Sequence, residues 1–204
     1  MTKKTLFLIA VALQVALLGW MVASSERTLA RGTRVVLRVR PVDPIDFMTG
    51  RYIDAHPAIG RIDVAKVPLV GETESDAAAA AAAAAPSDLA RLSNRDVFVE
   101  LREEGDFWVA KRVVVAGGPV EPREPFLRGR VAPSYGTELD VDYGLDRFDI
   151  PYDAEDPSML ARSNDHTVAL VVRVASDGRS VTEDLVVDGR PFAEWNAAEK
   201  AKRK

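Results

Sequence analysis

Hydrophobic and polar positions divide the chain into two unlike parts. From Leu6 to Ala23 (LFLIAVALQVALLGWMVA), 18 residues pass without a charge, interrupted only by Gln14 and Gly19. Wound as a helix, such a run covers roughly 27 Å, close to the thickness of a bilayer's hydrocarbon core, with Trp20 at the far interface. Beyond it the apolar positions come in short runs, many of them alternating, separated by Gly, Pro and Asp. That punctuation is the mark of β-structure.

Thr33–Arg40 (TRVVLRVR) alternates around Val35, Leu37 and Val39 and stops at Pro41. Residues 51–62 form an extended run broken by Pro57 and Gly60. Residues 97–102 and 107–115 flank Glu103-Glu-Gly-Asp106, a hairpin signal, and residues 166–175 and 180–187 flank a second one, Ser176-Asp-Gly-Arg179. Shorter strands are expected over 126–132, 139–143 and 147–150. About eight strands and no long amphipathic helix predict a mainly β fold: an N-terminal transmembrane helix followed by an antiparallel β-sandwich or small barrel.

Between the strands lies a low-complexity stretch with nine consecutive alanines, Ala77–Ala85, closed by Pro86. Alanine favours helix and Asp76 is a suitable cap, but so short a helix is marginal in water and has little area to bury. The expectation is an alanine-rich surface loop inserted over residues 66–95. The organisation is thus an anchor over 1–25, a β-rich domain over 26–192, and a charged tail over 193–204 that ends in Lys200, Lys202, Arg203 and Lys204 and frays in solvent.

Charge sharpens the placement. Lys3 and Lys4 precede the apolar run, which by the positive-inside tendency puts the N-terminus in the cytoplasm and the β-domain across the membrane. Arg27, Arg31, Arg34, Arg38 and Arg40 follow the run and oppose that orientation; a short basic N-terminus ahead of an apolar run is nevertheless the ordinary export arrangement. Val22-Ala23-Ser24-Ser25 offers a signal-peptidase site, but the run exceeds the usual signal core, so a retained anchor is the preferred reading beside a cleaved signal. Lys3 and Lys4 are the only charged side chains before residue 26, so the remainder carries 25 basic and 31 acidic side chains, a net of −6. An acidic domain does not suit nucleic acid. Without cysteine the chain has no disulfide, thiolate metal site or cysteine nucleophile, and two histidines cannot make a three-histidine centre. No metal or cofactor is expected.

The most distinctive motif follows the first strand. Pro41-Val42-Asp43-Pro44 and Asp46 make a turn in which Asp side chains accept local backbone hydrogen bonds; Gly50 supplies the reversal into Arg51-Tyr52-Ile53. Asp43 and Asp46 are too few carboxylates for a divalent ion, and a hydrogen-bonded turn is the preferred reading.

This order resembles the bacterial family named GDYXXLXY after its signature. Pro41-Val42-Asp43-Pro44 fits the approach to that signature, and Gly50 and Tyr52 stand at its glycine and tyrosine; Arg51 replaces its aspartate, Ala55 its leucine and Pro57 its last tyrosine. Arg128-Gly129-Arg130-Val131, followed by Leu139–Phe148 with Tyr143-Gly144, is similar to a second family block, and Asp177-Gly178 through Val187-Asp188-Gly189-Arg190-Pro191 to its closing hairpin. The likeness runs from residue 1 to about 192. It implies a periplasmic domain held at the bacterial inner membrane through residues 6–23, with a multi-pass membrane protein as partner, and it attaches no reaction.

Chemistry is sparse. There is no G-x-S-x-G elbow, phosphate loop or dinucleotide fingerprint. Ser134 with Lys66 or Lys111 has no motif to pair it as a dyad, and His56 and His166 read as loop histidines. Asp140, Asp142, Asp146, Asp149 and Asp153 are as expected for turns and strand edges. The function expected is that of a non-catalytic accessory or interaction protein, with an aromatic-basic patch of Arg51, Tyr52, Tyr143 and Arg147 meeting its partner. Arg130, Asp142 and Gly144 join the candidate binding residues beside them. The alternative is an envelope hydrolase or carbohydrate-processing enzyme that uses the aspartates near Tyr143.

Overall fold

The apolar N-terminal run and the alternating segments each take the form their period requires. The computed structural model describes residues 2–40, 52–70, 89, 91–118, 120–133, 138–151, 154 and 166–202, with only the backbone of 52–54. Helix α1 (Lys3–Arg31) leads into β1 (Thr33–Arg38). Then come β2 (Tyr52–Asp54), a 3-10 turn at Ala58–Gly60, β3 (Arg61–Asp63), β4 (Leu69–Val70), β5 (Asp96–Glu104) and β6 (Phe107–Val115). The chain continues through β7 (Phe126–Val131), β8 (Glu138–Asp142), β9 (Arg147–Asp149), β10 (Val168–Val174), β11 (Ser180–Val187) and β12 (Arg190–Pro191) to α2 (Phe192–Lys202).

The fold is mainly β. One sheet has the order β1-β10-β11-β12 and a larger one β3-β8-β7-β5-β6-β4; β2 and β9 form a separate pair. The curled sheets make a half-barrel, sandwich-like arrangement, with β1 lying against β6. Between them sits one core: Leu37, Leu170 and Leu185 from the smaller sheet meet Val97, Val99, Val113, Leu127 and Leu139 from the larger, all fully buried. β1 and β8 bury alternate residues, so burial of one face sets their register, whereas β10, inside its sheet, is buried on both faces. Both expected hairpins form. Gly105 (φ +63°) turns β5 into β6 and Gly178 (φ +80°) turns β10 into β11, a left-handed backbone that glycine adopts without penalty.

Three expectations need correction. The insertion over 66–95 is tied into the fold at both ends: β4 runs parallel to β6, which breaks the otherwise antiparallel pattern, and Leu89 is buried in the core. Ala77–Ala85 lies outside the described residues. The N-terminal helix does not stop with its apolar run but continues to Arg31, because Thr28 is buried against the domain and its Oγ1 donates to the Ser24 carbonyl at 3.1 Å. The segment from 193, expected to fray, is helix α2; its charged side chains face outward while Phe192 and Trp195 stack at 6.0 Å in the core.

Candidate functional site

β7 and β8 pair with Arg130 opposite Asp142, and at the end of β8 the chain turns through Tyr143 and Gly144. Gly129 permits this: a Cβ there would come within 2.4 Å of Val141 Cγ1 and 2.9 Å of Tyr143 Cδ1. The tyrosine therefore packs over the glycine, and its hydroxyl donates to the buried Ile59 carbonyl at 2.9 Å. Burial pushes its phenol well above the ordinary range, so it stays neutral. Asp142 Oδ1 accepts the Gly144 N–H at 2.7 Å and closes the turn.

These residues floor a groove of about 460 Å³, walled on one side by Ser24, Ser25 and Thr28 of α1 and on the other by Arg179–Val181. Asp96, opposite Arg130 in the sheet, accepts from Arg128 Nη2 at 2.7 Å and Arg130 Nε at 3.0 Å. The two guanidinium groups hold its carboxyl below its ordinary value, so it is an ionised anchor and not a proton donor near neutrality.

The wall contributed by α1 is fastened in place. Arg179 Nη1 donates to Ser24 Oγ at 3.0 Å while its Nε pairs with Asp177. Arg173 Nη1 donates to the Gly32 carbonyl at 3.3 Å and also grips Glu183. At Gly32 the backbones approach so closely that a Cβ would meet the Thr28 carbonyl oxygen at 2.5 Å and Val174 N at 3.0 Å. The turn at Gly178 is itself docked on the larger sheet, where its carbonyl accepts the Arg128 N–H at 2.8 Å. Helix end, hairpin tip and β7 thus form one connected unit.

The family model described as GDYXXLXY protein matches residues 14–185, most of the chain. The chain belongs to the GDYXXLXY family. No curated protein and no solved structure matches it. Of the GDYXXLXY signature, Gly50 and Arg51 lie outside the described residues, as do Asp43 and Asp46. Tyr52 opens β2 and pairs with Asp149. Ala55, at the GDYXXLXY leucine position, is fully buried with its N–H on the Asp146 carbonyl, and Pro57 bridges to Val39. The signature's second half is therefore part of the core wall.

Four of the candidate residues, Arg130, Asp142, Tyr143 and Gly144, come together in the groove. Arg147 does not line it; it sits on β9 with its Nε 2.9 Å from Asp149. Of the expected aromatic-basic patch, Tyr143 points into the core and not outward, while Arg51 and the Tyr52 side chain lie outside the described residues. Asp140 pairs with Arg61 at 3.2 Å, and His166 Nδ1 lies 2.7 Å from Asp188, a hydrogen-bonded loop histidine. Among the described residues no group of three His, Cys, Asp or Glu side chains is placed to hold a metal. Asp96, Arg128, Ser24 and Arg179 were not singled out from the sequence. They meet through strand register and hairpin docking, and only the opposite charges of Asp96 and the two arginines hinted at the link.

Proposed function

We propose that the chain is a single-pass protein of the bacterial inner membrane, N-terminus in the cytoplasm, whose periplasmic β-domain serves as a non-catalytic accessory to a membrane partner. The observation that carries this reading is the fastening of α1. Its 18-residue apolar stretch is entirely outside the protein's packing, while the turns that follow are part of the domain wall. A helix apolar on all sides and free of its own domain suits lipid, and its rigid continuation would hold the domain at the membrane surface.

Among the described residues, the carboxylates near Tyr143 have structural partners and lend the hydrolase alternative no support. Asp142 holds a backbone N–H, Asp140 and Asp149 hold arginines, and Tyr143 supports a buried carbonyl. Crosslinking in intact membranes followed by detergent extraction tests the proposal. The expected result is retention in the membrane pellet at alkaline pH and co-purification with a multi-pass protein. Recovery of the chain always alone would overturn the accessory role.

A further inference from the structure

A second groove, of about 540 Å³, lies on the other flank of α1, between its last turns and the β10–β11 turn. Trp20, Ala23, Arg27 and Arg31 line it from the helix. Their spacing of three or four residues puts them on one face, apolar at the bottom and cationic above, rising about 1.5 Å per residue. Glu124 and Asp177 line the opposite lip. Asp177 is committed to Arg179, but among the described residues Arg27, Arg31 and Glu124 form no ion pair, and all three are exposed. The helix dipole accounts for a cation in the last turn, such as Arg31, but not for Arg27 a turn earlier.

We infer that this groove seats the headgroup of a phospholipid bearing an amine: phosphodiester against Arg27 and Arg31, ammonium toward Glu124, acyl chains descending past Ala23 and Trp20. The vertical order of the lining is the order of the lipid's own parts, and the groove opens where the apolar run ends. Guanidinium groups suit phosphate oxygens through charge-assisted hydrogen bonds. An unpaired carboxylate in the same groove disfavours a purely anionic headgroup and favours a zwitterionic one. The inference rests on the proposed anchoring, since only a bilayer brings the lipid to this height.

The full chain in nanodiscs of phosphatidylcholine, doped with phosphatidylethanolamine or phosphatidylglycerol of identical acyl chains, tests the site. Lipid retained on the protein is read by native mass spectrometry after release. Phosphatidylethanolamine should be retained over phosphatidylglycerol. Arg27→Gln with Arg31→Gln should lower retention of both about tenfold, the scale of a lost charged hydrogen bond. Glu124→Gln should abolish the preference while keeping phosphatidylglycerol retention. All three side chains are exposed, so unchanged thermal unfolding should accompany these effects. Unchanged retention in the double arginine variant overturns the site, and a preference that survives Glu124→Gln overturns the amine assignment. Alkaline extraction separates this from the premise: release of the wild-type chain refutes the anchoring, whereas a chain that stays in the membrane without lipid selectivity refutes the groove alone.

Discussion

Arg179 reaches back to Ser24 across 155 positions of sequence, its Nη1 donating to the serine Oγ at 3.0 Å. With the Arg173 contact to Gly32, this bond makes the hairpin tip of the smaller sheet a clasp on the end of α1.

The clasp depends on the bare backbone at Gly32. Gly32→Ala should destabilise the junction by about 1–3 kcal/mol, because the new methyl meets backbone atoms that cannot swing aside. Limited proteolysis near residues 24–33 should accelerate in the variant, while Gly19→Ala, where nothing lies within 4 Å, should leave the pattern unchanged.

Gly129→Ala is expected to cost about 1–3 kcal/mol by driving Tyr143 off the strand. Tyr143→Phe should cost a similar amount, about 1–3 kcal/mol, by leaving the buried Ile59 carbonyl without its donor. Denaturant midpoints measure both.

Tyr143 also predicts an alkaline limb. Its folded pKa lies above the ordinary value of 10.0, so the stability it contributes is whole below pH 10.0 and is lost as the unfolded phenol ionises above it. The melting temperature should fall above pH 10.0, and less steeply in Tyr143→Phe.

Acid should act through Glu100 and Asp96. Burial tends to raise the Glu100 carboxyl, but Arg112 and the Arg123 N–H outweigh burial and bring it below its ordinary value of 4.5. A depressed carboxylate contributes stability that is whole above its ordinary pKa and lost as pH falls through the folded one. Melting temperature should hold near neutrality and drop below pH 4.5. Glu100→Gln should lower stability at neutral pH by about 1–3 kcal/mol and flatten that drop.

Trp195→Ala should cost about 3 kcal/mol despite its place in a charged segment, since the indole is buried on Phe192. Loss of near-ultraviolet circular dichroism alongside the stability change would locate the effect in this stack.

The last case shows where pattern reading reaches its limit. The two hairpins were legible because alternation and a turn glycine speak together over a few residues, as at Gly105 and Gly178. α2 was not, since Phe192 and Trp195 are the only large apolar residues of a segment otherwise made of alanine and polar or charged residues, and part of what buries them is Phe148, far off in sequence. The continuation of α1 beyond its apolar run is hidden for a like reason: hydropathy falls at Ser24, but Ser24 and Gly32 are bonded by Arg179 and Arg173 of the hairpin, and no local period reports that. Of the candidate site, Tyr143-Gly144 and Arg130 were found as a dense motif. The inward direction of Tyr143 is not legible there, because an outward tyrosine and one packed over Gly129 look alike until β7 and β8 are in register.

The unbroken passage of α1 into the domain has a mechanical consequence for an anchored chain. A domain on a flexible tether samples a hemisphere; one carried on a rigid post samples only the motions of the post. Tilting of the span, as in a bilayer thinner than the apolar run, would swing the β-domain through the same angle, so that membrane thickness becomes a variable the domain registers as orientation.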